Sequence, residues 1–68
     1  MNDDQFNMNI RQYLKKVGIT SQREIEAAVR NALEDGIIKG TETLDVRINL
    51  SVEALSLNVG IDGKIALE

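Results

Sequence analysis

The sequence predicts an α+β fold in which two N-terminal helices pack on one face of a three-stranded antiparallel β-meander. Before Gly40, apolar residues recur every three to four positions, which is the period of an amphipathic helix. After Gly40 they alternate with a period of two, as along a strand with one buried face. Residues typical of a helix end and a helix start, around Gly18 and Ser21, divide the first part into two helices.

Helix one is predicted from about Asp3 to Val17. Asn2 or Asp3 can cap its first turn, and Gly18 can end it in the left-handed conformation. Its apolar residues form one stripe: Phe6, Ile10, Tyr13, Leu14 and Val17.

Helix two is predicted from about Gln22 to Asp35. Ser21 and Glu24 fit a capping box, and Gly36 is placed to stop the helix. Its stripe comprises Ile25, Ala28, Val29, Ala32 and Leu33. Only about four residues connect the two helices, which predicts an αα-hairpin or a helix-turn-helix.

Three strands are predicted, at about Thr43–Val52, Leu55–Ile61 and Lys64–Glu68. Pairing Leu50 with Leu57 puts every apolar residue of the first two strands on one face. A four-residue loop joins strands one and two in this register. A three-residue turn, Ile61 to Gly63, is expected to join strands two and three.

A chain of 68 residues is expected to form one domain, residues 1–68, with a helical half at about 3–36 and a sheet half at about 43–68. It has no Cys or His, so no disulfide or thiolate site supports a small, mostly aliphatic core. Small domains of this kind gain stability from very good packing or from oligomerisation; of the two we favour oligomerisation and expect a homodimer.

The outer face of the predicted sheet is polar but nearly uncharged, and strand one is long and carries little charge to protect it as an edge, which makes it a candidate for self-association. The candidate residues are Asp45, Arg47, Asn49 and Ser51.

Catalysis, cofactors and metals are not expected. No His is present to activate a Ser or Thr, and the paired carboxylates lie at helix ends, where capping and the helix dipole explain them. A non-catalytic module for self-association or for binding an unidentified protein partner is therefore the favoured function.

Nucleic-acid binding is the alternative function. The turn around Gly18 reads like that of a helix-turn-helix, although a net charge of −3 argues against phosphate binding. The candidate contacts are Lys15, Lys16, Arg23 and Arg30.

No apolar run approaches the ~20 residues of a membrane span, and the acidic start, Met1 to Asp4, lacks the pattern of a secretory signal. We expect a cytoplasmic protein that does not bind membranes.

The segment from Phe6 to Glu26 resembles a family of short, uncharacterised proteobacterial proteins, a domain of unknown function. The resemblance lies in Phe6-Asn7-Met8, Ile10-Arg11 and the run from Leu14 to Glu26. It extends through Ala28-Val29-Arg30 and Gly40 to a β-rich tail. It implies a bacterial, cytoplasmic, single-domain protein and supplies no catalytic residues.

Overall fold

A computed structural model describes all residues from Met1 to Glu68. Its elements are one α-helix, α1 (Asp3–Glu34), and two strands, β1 (Thr43–Val52) and β2 (Leu57–Ala66). A short 3₁₀ turn, Glu53–Leu55, lies between the strands. The chain divides into two units, Met1–Asp35 and Gly36–Glu68, each of which is described by itself.

The prediction of two N-terminal helices is wrong, because α1 runs without interruption through Gly18 for 32 residues. A single internal glycine costs a helix only about 1 kcal/mol, whereas ending the helix there would forgo several backbone hydrogen bonds. Ser21 and Glu24 therefore lie inside the helix and form no capping box. Because no turn forms at Gly18, the predictions of an αα-hairpin or a helix-turn-helix are wrong as well.

Both ends of α1 match the sequence predictions. Asn2 caps the start, where its side-chain Oδ1 accepts a hydrogen bond from the backbone N–H of Gln5 at 3.0 Å. Asp3 and Asp4 occupy the first turn, where carboxylates favour the positive end of the helix dipole. The helix ends at Glu34, and Gly36 follows with φ +73, the conformation expected of a glycine after a helix end.

The predicted three-stranded meander is also wrong, because the second unit is a two-stranded antiparallel hairpin. The predicted turn at Asp62-Gly63 does not form. Instead β2 continues through it to Ala66, and Gly63 pairs with Val46 of β1. Of the residues predicted as a third strand, Lys64 to Ala66 form the end of β2, and they pair with β1 instead of with the preceding part of β2.

The register of the hairpin differs from the predicted one by two residues. Leu50 pairs with Val59, and Arg47 pairs with Asp62. If the long β2 kept the predicted register, Asp45 would lie opposite Asp62, and like charges directly opposite each other destabilise a sheet. A shift of two residues keeps each side chain on its original face, so the apolar residues still share one side.

A four-residue loop, Glu53 to Ser56, closes the hairpin between the paired residues Val52 and Leu57. Ser56 ends it in the left-handed region with φ 51. A loop of four residues was predicted, but one position earlier.

No residue of either unit is buried. The aliphatic side chains expected to form a core between helices and sheet are half-buried or exposed. The stability of the chain must therefore be explained by what covers its apolar side chains.

Candidate association surfaces

One continuous row of mostly apolar positions runs along α1. Its members are spaced by four, four and three residues in a repeating pattern, which returns to the same side of a helix every 11 residues. We call this row the α1 stripe, and its members are Phe6, Ile10, Leu14, Val17, Ser21, Ile25, Ala28 and Ala32. It joins most members of the two predicted stripes through Ser21, whereas Tyr13, Val29 and Leu33 of those stripes lie beside it.

The two halves of the α1 stripe differ in side-chain size. The N-terminal half holds large residues, among them Phe6 and Leu14, which are 49% and 55% exposed. The C-terminal half ends in two alanines, Ala28 and Ala32. The exposed apolar area of the stripe is therefore concentrated toward the start of α1.

A second apolar surface covers one side of the hairpin. We call it the hairpin face, and its members are Leu44, Val46, Ile48, Leu50, Val52, Leu57, Val59, Ile61, Gly63 and Ile65. The β1 members are mostly half-buried, whereas Val59 and Ile61 on β2 are 43% and 55% exposed. The less covered part of the face thus lies along β2.

Cross-strand ion pairs occupy the opposite side of the hairpin. The guanidinium of Arg47 donates two hydrogen bonds to Asp62, from Nε to Oδ1 at 2.7 Å and from Nη2 to Oδ2 at 3.2 Å. The Lys64 ammonium lies 2.7 Å from Asp45 Oδ1. The bonded carboxylate of Asp62 raises the pKa of Arg47 above its ordinary value.

The four residues of the predicted self-association edge therefore lie on this polar side of β1. Two of them, Asp45 and Arg47, are engaged with β2 of the same chain. The other two, Asn49 and Ser51, pair with Gly60 and Asn58. Whether this edge binds a second chain stays a prediction.

The four predicted nucleic-acid contacts all lie on α1, but not at the start of a recognition helix. Lys16, Arg23 and Arg30 are seven residues apart and so form a line along one side of the helix, about 21 Å long at 1.5 Å per residue. This side is turned away from the α1 stripe. Lys15 lies about 100° around the helix from its neighbour Lys16 and outside the line.

The loop before β1 contains a carboxylate niche that the sequence did not predict. The backbone N–H groups of Lys39, Gly40 and Thr41 donate to the Glu42 carboxylate at 2.8, 2.9 and 3.1 Å. These bonds, that of Lys39 first, lower the pKa of Glu42. The signal in the sequence is Gly40, whose φ of +99 lets the backbone wrap around the side chain.

Chemical sites are not evident in the structure. No group of three or more Asp, Glu, His or Cys side chains is placed to hold a metal ion. An open groove beside Gly63 also touches the ion-paired Asp45, Asp62 and Lys64.

α1 is long enough to cross a bilayer but too polar to do so, and no other helix approaches that length.

Fold and surfaces together define a small helix-plus-hairpin protein whose prominent features are two exposed apolar surfaces. The model of a family of unknown function, DUF6494, matches residues 1–68, and the chain belongs to this family. The resemblance to a domain of unknown function is thereby confirmed, while a proteobacterial origin stays a prediction. No curated protein and no solved structure matches the chain.

Proposed function

We propose that this protein is a non-catalytic self-association module that works as a homodimer in the cytoplasm. The observation that carries the proposal is that apolar side chains are sorted to one side of each unit, yet none is buried. Contiguous exposed apolar surfaces of this kind mark interaction sites in soluble proteins.

Each unit taken alone lacks a sufficient source of stability. A two-stranded hairpin is marginal in water unless its apolar face packs against something. Most of the stability of an amphipathic helix in a protein likewise comes from packing of its apolar side. Covering these surfaces with a second copy would supply the missing burial without a disulfide, which the Cys-free sequence cannot form.

Sedimentation equilibrium over about 1–100 µM protein tests the proposal, because dissociation constants of weak to moderate homodimers fall in this range. We expect the mass to approach twice the 7.5 kDa of one chain as the concentration rises. A mass of one chain throughout would overturn the proposal.

Matched charge substitutions test which of the two apolar surfaces drives association. Ile10→Glu and Ile61→Glu add a carboxylate to the α1 stripe and to the hairpin face. Gln12→Glu and Asn58→Glu add the same charge to the polar side of the same element. At least one of the first two should raise the dissociation constant about tenfold or more, since burying an unpaired charge is unfavourable. Equal weakening by all four would show that apolar surface does not drive association.

A further inference from the structure

We propose that two copies of α1 pair antiparallel along the α1 stripe, with the middle of one helix against the middle of the other. This inference rests on the proposed self-association and names the surface and the orientation that it uses.

The spacing of the α1 stripe suits a long helix–helix contact. Eleven residues at 100° each exceed three full turns by only about 20°, so the stripe stays on one side of a nearly straight helix. With 32 residues, α1 is about 48 Å long, and the stripe extends over most of that length. A second helix can therefore follow the stripe with little supercoiling.

Side-chain size favours the antiparallel orientation. With the helix centres aligned, Phe6 of one copy lies beside Ala32 of the other, and Ile10 lies beside Ala28. Large then meets small at both ends, so the two axes stay equally spaced. A parallel pair would place Phe6 against Phe6 at one end and Ala32 against Ala32 at the other. Because interaxial distance depends on the side chains at the contact, those axes would diverge.

The distribution of charge along α1 also favours the antiparallel orientation. Counted over all sides of α1, including the far side that carries Lys16, Arg23 and Arg30, residues 3–18 have a net charge of +1 and residues 19–35 a net charge of −2. A parallel pair would place the two acidic C-terminal halves side by side, whereas antiparallel pairing brings each of them beside the more positive half of the other helix and also opposes the helix dipoles favourably. It also places Tyr13 of one copy near Glu24 of the other, on the same flank of the stripe.

Disulfide trapping tests the orientation, and the absence of native cysteine makes each product unambiguous. Ile10→Cys and Ala28→Cys chains are mixed, oxidised mildly and resolved by intact mass. In the antiparallel pair Cβ atoms of positions 10 and 28 approach to disulfide distance, whereas the two copies of position 10 lie about 27 Å apart along the axis. We expect the mixed disulfide in about tenfold excess or more over either homodimeric one.

Gln12→Cys, on the other side of the helix, gives the background, and circular dichroism confirms that each variant keeps its helix. A predominant disulfide between two copies of position 10 would show parallel helices and overturn the inference. A sedimenting dimer with no stripe disulfide above the Gln12→Cys background would also overturn it, while leaving self-association intact. A monomer at every concentration would overturn both proposals.

Discussion

Replacing Gly18 by alanine tests directly whether α1 is continuous. Gly18 is helical, its φ is not positive, and a Cβ added there meets no atom within 4 Å. Nothing in the structure therefore opposes the higher helix propensity of alanine, which is worth about 0.8–1.0 kcal/mol in a helix interior. For a chain of this size, that gain corresponds to a rise of about 4–8 °C in Tm.

Gly36→Ala is the matched control. A Cβ at Gly36 also meets nothing within 4 Å, but its φ of +73 lies in the left-handed region. The substitution should therefore lower stability by roughly 1–2 kcal/mol through backbone strain alone.

Thermal unfolding of both variants, followed by circular dichroism at one fixed protein concentration, gives the comparison, because the Tm of an associating protein depends on concentration. We expect shifts of opposite sign. If Gly18→Ala lowered the Tm as Gly36→Ala does, Gly18 would be ending a helix, and the inference of one uninterrupted α1 would be refuted.

Three further predictions concern the second unit. Ser56→Gly should stabilise the hairpin by about 0.5–1 kcal/mol because glycine adopts the left-handed φ freely, whereas Ser56→Val should destabilise it in denaturant titrations. Gly63→Val should stabilise the hairpin by about 0.5–1 kcal/mol by packing beside Val46, and a loss in the same titration would indicate a turn at that position. The carboxylate of Glu42 should stabilise its loop fully above pH 4.5, its ordinary pKa, and this contribution should fade as the pH falls through its lowered pKa. The stability difference between the wild type and Glu42→Gln, measured against pH, should therefore shrink in that acidic window, and a difference independent of pH would contradict the role of the charge.

Local patterns in the sequence were sufficient for the ends of α1 and the two faces of the hairpin. Asn2 and Gly36 act at helix ends in the expected way, since capping depends on a few neighbouring residues. The period of two from Leu44 to Val52 placed the apolar residues on one face correctly. The apolar residues share one face although the predicted register was wrong, because a shift of two residues leaves every side chain on its original face.

The number of helices and strands could not be predicted from such local sequence patterns. Gly18, Ser21 and Glu24 together make a plausible helix boundary, but each is also tolerated inside a helix, and the balance depends on the surrounding turns. Asp62-Gly63 is likewise a good turn sequence. The charge pattern across the strands also favours the long hairpin, since Asp62 meets Arg47 and Lys64 meets Asp45 only if β2 continues.

The candidate association surfaces were only partly accessible from the sequence. The two short helical stripes were recognised, but their union into the α1 stripe required a continuous helix. The Glu42 niche depends on backbone geometry around Gly40, for which the residue types alone give little indication.

The hairpin ladder has a consequence for how the chain acquires its structure. Its innermost pair, Val52 and Leu57, is separated by only five positions, and its outermost pair, Thr43 and Ala66, by 23. α1 likewise forms through contacts between residues a few positions apart. Such local contacts form within about microseconds, so the hairpin and the helix can form and open many times before two chains meet. The slow step on the way to the proposed dimer would then be the bimolecular encounter, whose rate rises with protein concentration.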